Sequence, residues 1–346
     1  MTVEGVTRDR LLALPKAELH VHLDGSLRPA TMVELAAELG VPLPASEPGI
    51  LARAMRASGS NNLAEYLEKF AVTLSLMQTP EALERAAYEL AEDAARENVR
   101  YLEVRYSPVL HTTEGMTLDE AVEAPLRGLA RAEADFHILT GIIVCGIRSF
   151  QPSLSLRMAE LAVAFKDRGV VAFDLAGREA GHPARDHAEA FHFAARHNLA
   201  ITVHAGEGEG ADSIAQALHE CHARRIGHGT RLLEDPALEA FVNDHRIPLE
   251  VCLTSNVHTR VAPTFEAHPL RRYFDSGQVV TLNTDNRLIS ATTLTDEYWL
   301  AHRHLGFTWE ELTEVALLGF QAAFLPYQAK LGLLERVEEE MVALGA

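Results

Sequence analysis

The feature that most limits how this chain can fold is a repeated alternation. Short apolar runs of strand length alternate with longer stretches of helical periodicity. The strand-like runs lie at 17–23, 101–106, 138–147, 170–175, 200–204, 225–229, 248–253 and 278–283. Helical patterns fill 117–134, 153–167, 184–197, 211–222, 235–245, 267–276 and most of 294–344. Eight strands separated by helices predict an α/β fold, a (β/α)₈ TIM-type barrel rather than a doubly wound sheet. A doubly wound sheet would want a glycine-rich turn after its first strand, and none follows residue 23. The Gly206–Gly210 run, Gly-Glu-Gly-Glu-Gly, is too short and too acidic to cradle phosphate. The expected organisation is one domain over 1–346, with a helical insertion at about 30–98 between strands one and two and extra helices at the C-terminus. Residues 1–16 read as a polar lead-in ending at Pro15.

In such a barrel, active sites form at the C-terminal ends of the strands. The chemically capable residues of this sequence collect there. His20 and His22 share one face of the first strand, because residues i and i+2 project together, and Asp24 follows them. Gly177 follows the fourth strand; His204 and Glu207 close the fifth; His228 closes the sixth; Asp285 and Asn286 close the eighth. Any one of these is unremarkable alone, since a strand-end His is commonly a hydrogen-bonded structural residue and an Asp after Thr a turn residue. Their convergence on one barrel mouth makes a metal site the better reading. His20, His22 and His204 offer three nitrogens and Asp285 an oxygen, a set that suits Zn²⁺, whereas Mg²⁺ and Ca²⁺ prefer all-oxygen shells. Such an ion lowers the pKa of a bound water to roughly 7 and so supplies a nucleophile. Glu207, three residues past a ligand, is placed to face a substrate as general acid or base, and His228 to hold the oxygen.

Composition narrows the partners. A formal net charge of −18 opposes the phosphate neutralisation that a general nucleic-acid binder needs. Three cysteines, Cys145, Cys221 and Cys252, form no CxxC and read as buried thiols of a reducing compartment. Met1–Arg10 carries no apolar signal core, and no apolar run reaches membrane-spanning length. The expectation is a cytoplasmic protein with a small-molecule partner.

The segments PKAELHVHLDGSLRP, YLEVRYSP, DLAG, VHAGE, RIGHGT, CLTSN and LNTD run in order along nearly the whole chain. At these residues the sequence strongly resembles the adenosine deaminase family of the metal-dependent amidohydrolases. The resemblance implies one zinc per chain on His20, His22, His204 and Asp285, and hydrolytic deamination of adenosine, with 2′-deoxyadenosine also accepted, to inosine and ammonia in purine salvage. It implies that Glu207 protonates purine N1, that activated water attacks C6 with His228 and Asp285 assisting, that Gly177 offers its N–H to N3, and that Asp24 holds the ribose 5′-hydroxyl. His22 is counted with the substrate-facing residues. Leu63, Tyr66, Leu67 and Phe70, spaced i, i+3, i+4, i+7, match the apolar helix that covers the pocket in the family, although ordinary core packing gives the same stripe. The H-x-E and P-C-x-x-C signature of cytidine and tRNA-editing deaminases is absent.

Two positions bear on the substrate. Asp24 stands where adenine- and aminofutalosine-deaminating relatives tend to carry Glu, and the shorter side chain leaves room for a sugar. Asn286 replaces the second Asp of the family's usual pair; its amide can donate to N7 without a shifted pKa. The alternatives are deamination of another 6-aminopurine compound, such as adenine or an aminofutalosine-type nucleoside, and a non-catalytic zinc-holding protein on the same fold.

Overall fold

The computed structural model describes residues 5–57 and 69–345. Eight parallel strands form one sheet in the order β1 to β8: β1 (Lys16–His22), β2 (Val99–Tyr106), β3 (Leu139–Ile147), β4 (Val170–Ala176), β5 (Ala200–Ala205), β6 (Arg225–His228), β7 (Leu249–Val251) and β8 (Val280–Leu282). Parallel neighbours need crossover connections, and helices supply them. The sheet curls until its edges nearly meet. The Asp285 N–H donates to the His20 carbonyl (2.9 Å) and the His22 N–H to the Asp285 carbonyl (2.7 Å). These two bonds close the barrel just beyond β8 and set the first strand's histidines beside Asp285.

Each strand divides its residues by parity. Leu19, Val21, Leu102, Val104, Phe173, Ile201 and Val203 are buried and belong to the apolar core, with Phe173 meeting Phe191 of helix Ala188–Arg196 at a ring separation of 5.1 Å. The alternate positions Glu18, His20, Glu103, Arg105, Asp174, Thr202, His204, Arg225 and Glu250 are also buried, and they bond to one another or to the strand ends inside the barrel.

Helices Pro29–Leu39, Pro48–Met55, Phe70–Leu76 and Pro80–Arg96 fill the insertion between β1 and β2. Leu63, Tyr66 and Leu67 lie outside the described residues. Helices Leu294–Leu305, Trp309–Ala322 and Tyr327–Ala343 complete the C-terminal part. No described helix is long and apolar enough to cross a membrane.

Several expected boundaries move. The lead-in contains helix Arg8–Ala13, capped by the Thr7 hydroxyl on the Arg10 N–H and anchored by buried Leu11. The seventh strand stops at Val251, because Leu253–His258 is already a helix. The helix expected from residue 267 starts only at Leu270, since Pro269 disfavours helical backbone at His268. The helix expected to reach residue 222 ends at His219; the Glu220 and Cys221 N–H groups both fall back on the Gln216 carbonyl.

Candidate active site

A cavity of about 250 Å³ opens at the C-terminal ends of the strands. It is lined by His22, Asp24, Gly177, His204, Glu207, His228, Asp285 and Asn286, with Phe70, Leu74 and Leu110 on its apolar side. Of the residues expected from sequence, His20 alone among those described is absent from the wall. It lies directly beneath, fully buried. The larger depression of about 710 Å³ is a separate, more open feature beside the insertion. Four of the five arginines that line it, Arg8, Arg28, Arg96 and Arg287, are paired with carboxylates.

One ligand atom from each of His20, His22, His204 and Asp285 lies within 4.8 Å of all the others. The Nε2 atoms of His22 and His204 are 3.1 Å apart. The Asp285 Oδ1 stands 3.5 Å from His20 Nε2 and 3.4 Å from His22 Nε2. His20 Nε2 is buried with no hydrogen-bond partner among the described residues. An orphaned nitrogen facing two other imidazoles and a carboxylate fits a divalent cation with tetrahedral N/O preference.

The rings are aimed from behind. His20 Nδ1 donates to Glu250 Oε2 (2.8 Å) and His204 Nδ1 to Asp174 Oδ2 (2.9 Å), which leaves each Nε2 lone pair toward the centre. Arg105 binds both carboxylates: its Nη2 donates to Glu250 Oε2 (2.8 Å) and its Nη1 to Asp174 Oδ2 (3.1 Å). Thr202 and Arg225 Nε hold the other Glu250 oxygen at 2.8 and 2.7 Å. Burial would raise both carboxyls. For Glu250 the charges of Arg105 and Arg225 outweigh burial, and for Asp174 those of His204 and Arg105 do, so both lie far below the usual range. Sequence reasoning missed Asp174 and Glu250 as supports. The available signal was a carboxylate in the middle of an apolar strand, which is expensive unless paired.

Glu207 sits in the opposite regime. Burial pushes its carboxyl well above the ordinary value, and the charges of Asp285 and Glu179 push further, so it is held protonated. Its Oε2 is 3.6 Å from His228 Nε2. The backbone beneath Glu207 is tied down by Glu179, a second residue sequence reasoning missed. The buried Glu179 carboxylate accepts from the N–H groups of Gly206 (2.8 Å), Glu207 (3.0 Å), Gly208 and Glu209 (3.1 Å), and from the Ser213 hydroxyl. The glycine-glutamate run is thus a cradle of amides filled by the chain's own anion.

Asp285 Oδ2 accepts from the Ser255 hydroxyl at 2.6 Å. Burial raises this carboxyl, but the surrounding histidines prevail and hold it far below the usual range. Burial lowers His228 well below the ordinary imidazole value, so the ring is neutral. His228 and Asp285 both take left-handed backbone, φ 63° and 59°. Strict alternation from Arg225 would send His228 outward; the turn in the chain at that residue brings it to the cavity, local strain of the kind that collects at functional sites.

Asp24 has a carboxyl raised by burial to about 7, and its Oδ1 has no partner among the described residues. Gly177 has φ 94°, a conformation that strains any side chain, and only a glycine here keeps the cavity wall at backbone level. A Cβ on Gly25 would fall 1.8 Å from Asn286 Oδ1, so the glycine of the His-Leu-Asp-Gly turn is what seats Asn286 at the rim.

The family model described as adenosine deaminase matches residues 15–340. The chain is 40% identical over 349 residues to an adenosine deaminase of Mycobacterium marinum, covering 96% of both proteins. It is also 40% identical to a probable adenosine deaminase of Dictyostelium discoideum, over 95% of this chain but only 43% of that longer protein. Among solved structures, an adenine deaminase from Arthrobacter aurescens superposes with a TM-score of 0.88 at 28% identity, covering 94% of this chain and 98% of that one. An amidohydrolase from Burkholderia ambifaria with bound zinc gives a TM-score of 0.88 at 26% identity, over 99% and 97%.

Proposed function

The chain belongs to the adenosine deaminase family, and on that premise we propose that it removes the 6-amino group of adenosine and 2′-deoxyadenosine by hydrolysis. The observation that carries the reading is one cavity lined by a carboxyl that burial pushes toward its protonated form, an imidazole that burial pushes toward its neutral form, and a converging three-nitrogen, one-oxygen set.

His20, His22, His204 and Asp285 would hold one zinc ion, a reading supported by the zinc in the Burkholderia amidohydrolase. When bound, the ion acidifies a water to a pKa of about 7 and so supplies the nucleophile for C6. The remaining work falls to the chain. Glu207 gives its proton to N1, which draws electrons from C6 and lets the C–O bond form without charge accumulating on the ring. Asp285 accepts the proton of the attacking water, and His228 hydrogen-bonds the oxygen that arrives at C6. Asp285 then passes that proton to the amino group, the C6–N bond breaks and ammonia leaves, and the C6 hydroxyl returns its proton to Glu207, which leaves the keto ring of inosine and both carboxyls as they began. Gly177 meets N3 through its N–H, Asn286 donates to N7, and Asp24 receives the ribose 5′-hydroxyl. Phe70 and Leu74 cover the apolar faces of the base and keep bulk water from the reacting carbon.

Similarity to the Arthrobacter adenine deaminase favours a second reading, the free base as substrate. The short Asp24, whose oxygen at the cavity wall has no partner among the described residues, supports the nucleoside instead. The test is the fall in ultraviolet absorbance on mixing the zinc-loaded protein with adenosine, 2′-deoxyadenosine or adenine. Turnover of the two nucleosides with little of adenine is expected; the reverse preference would overturn the assignment, and no turnover would favour a non-catalytic zinc-holding protein. Three buried, unpaired cysteines support a cytoplasmic setting.

A further inference from the structure

Behind His228 runs a chain of hydrogen bonds whose direction can be fixed from one end. It starts at the Leu270 N–H, which can only donate, and which lies 3.1 Å from His268 Nδ1. That nitrogen is therefore bare, and in a neutral ring the proton sits on Nε2. His268 Nε2 is 3.0 Å from Asn256 Oδ1, so it donates there. The Thr230 hydroxyl donates to the same oxygen at 3.1 Å. With its oxygen engaged on that side, Asn256 turns its amide nitrogen to His228 Nδ1, 3.0 Å away. An amide nitrogen also only donates, so His228 Nδ1 is bare in its turn. The proton of the neutral His228 ring is left on Nε2, the atom that faces Glu207 Oε2 across 3.6 Å. Asn256, His228 and His268 are all buried, and neither Asn256 nor His268 lines the cavity. Burial alone pushes His268 down to about 3, in keeping with a neutral ring at the start of the relay.

We propose that His268 and Asn256 are positioning residues that lock His228 in the Nε2–H tautomer, making it an obligate hydrogen-bond donor at the reacting carbon. The inference rests on the catalytic role given above to His228, and it divides the labour there. A ring with its proton already on Nε2 cannot take one from the attacking water. His228 then stabilises the oxygen that bonds to C6, and the proton of the water goes to Asp285. The opposite tautomer would present a lone pair to that oxygen and repel it.

The first test needs no variant. In zinc-loaded protein labelled with ¹⁵N-histidine, long-range ¹H–¹⁵N correlation reads the tautomer of each neutral ring, and the His228 signals are assigned by their loss in His228→Gln. A protonated Nε2 with a bare Nδ1 is expected; a protonated Nδ1, or both nitrogens protonated, overturns the proposal. The second test uses two variants of similar size at a residue outside the cavity. His268→Gln keeps a side-chain donor for Asn256 Oδ1 and should retain kcat within about threefold. His268→Glu offers only acceptors once its carboxyl is ionised, so, read at a pH above the value to which burial raises that carboxyl, Asn256 turns over and the His228 proton moves to Nδ1. It should lose about 100-fold in kcat, as expected for a missing oxyanion donor, with KM and zinc content within about twofold. Equal losses in both variants, or an unchanged tautomer in a folded His268→Glu, would refute the relay. Should the wild-type protein fail to deaminate adenosine, the reading under Proposed function falls, while the spectrum still decides the tautomer.

Discussion

Asp174→Asn is a change of one atom, and the surroundings of Asp174 make its consequence calculable. Its Oδ2 receives His204 Nδ1 (2.9 Å) and Arg105 Nη1 (3.1 Å). Its Oδ1 receives the Leu175 N–H (2.7 Å) and the His204 N–H (3.3 Å). These neighbours all donate, so an amide NH₂ confronts a donor whichever way it turns. One buried donor left unsatisfied costs about 1–3 kcal/mol of stability. The ring of His204 also exchanges a charge-assisted hydrogen bond for a neutral one or none, which loosens its aim and lowers the basicity of Nε2. A partner of this kind is worth about 10–100-fold in metal affinity. The assay is zinc competition against a chelator of known affinity, with thermal unfolding of the metal-free protein in parallel. Zinc affinity should fall by that factor and the metal-free melting temperature should drop. Affinity within about threefold of wild type would show that Asp174 does not orient His204 and would refute the reasoning.

Asn286→Asp should keep kcat/KM for adenosine within about tenfold, since a protonated carboxyl can also donate to N7; complete loss with intact zinc content counts against the N7 assignment. Glu297 is buried, accepts from Thr254 and Thr292, and is raised by burial from 4.5 to about 7. A raised carboxyl stabilises the fold below its unfolded pKa and loses that contribution as pH rises through its folded one. Glu297→Gln should therefore flatten the fall in stability between pH 4.5 and about 7, by about 1.4 kcal/mol per pH unit, in denaturant titrations across that range. An unchanged slope would show that Glu297 does not titrate in the folded state as described.

The barrel was legible because its two periodicities are clean. Apolar runs ending at a polar residue recur eight times, and the structure places His22, Asp24, Gly177, His204, Glu207, His228, Asp285 and Asn286 around one cavity, with His20 directly beneath. The four residues whose donor atoms converge within 4.8 Å were readable from strand parity at His20 and His22 and from position at His204 and Asp285. What escaped was the layer behind. Asp174, Glu250 and Arg105 sit at alternate positions of three different strands, and only the closed barrel tells which carboxylate meets which imidazole. Glu179 was hidden for a different reason: all but one of its partners are backbone amides, which leave no mark in side-chain sequence. Strand ends were the least readable boundaries. At β7 the turn into helix Leu253–His258 competes with continued pairing, and it sets Ser255 against Asp285 and Asn256 against His228.

The central claim is that a protonated Glu207 drives hydrolysis of a 6-aminopurine nucleoside. Turnover of adenosine by zinc-loaded Glu207→Gln, measured beside wild type with metal content and folding verified, tests it most directly. Glutamine keeps the shape and removes the transferable proton. A general acid contributes about 10²–10⁴-fold, so the variant should be folded, fully zinc-bound and below about 1% of wild-type kcat. Wild-type turnover in that variant would contradict the claim.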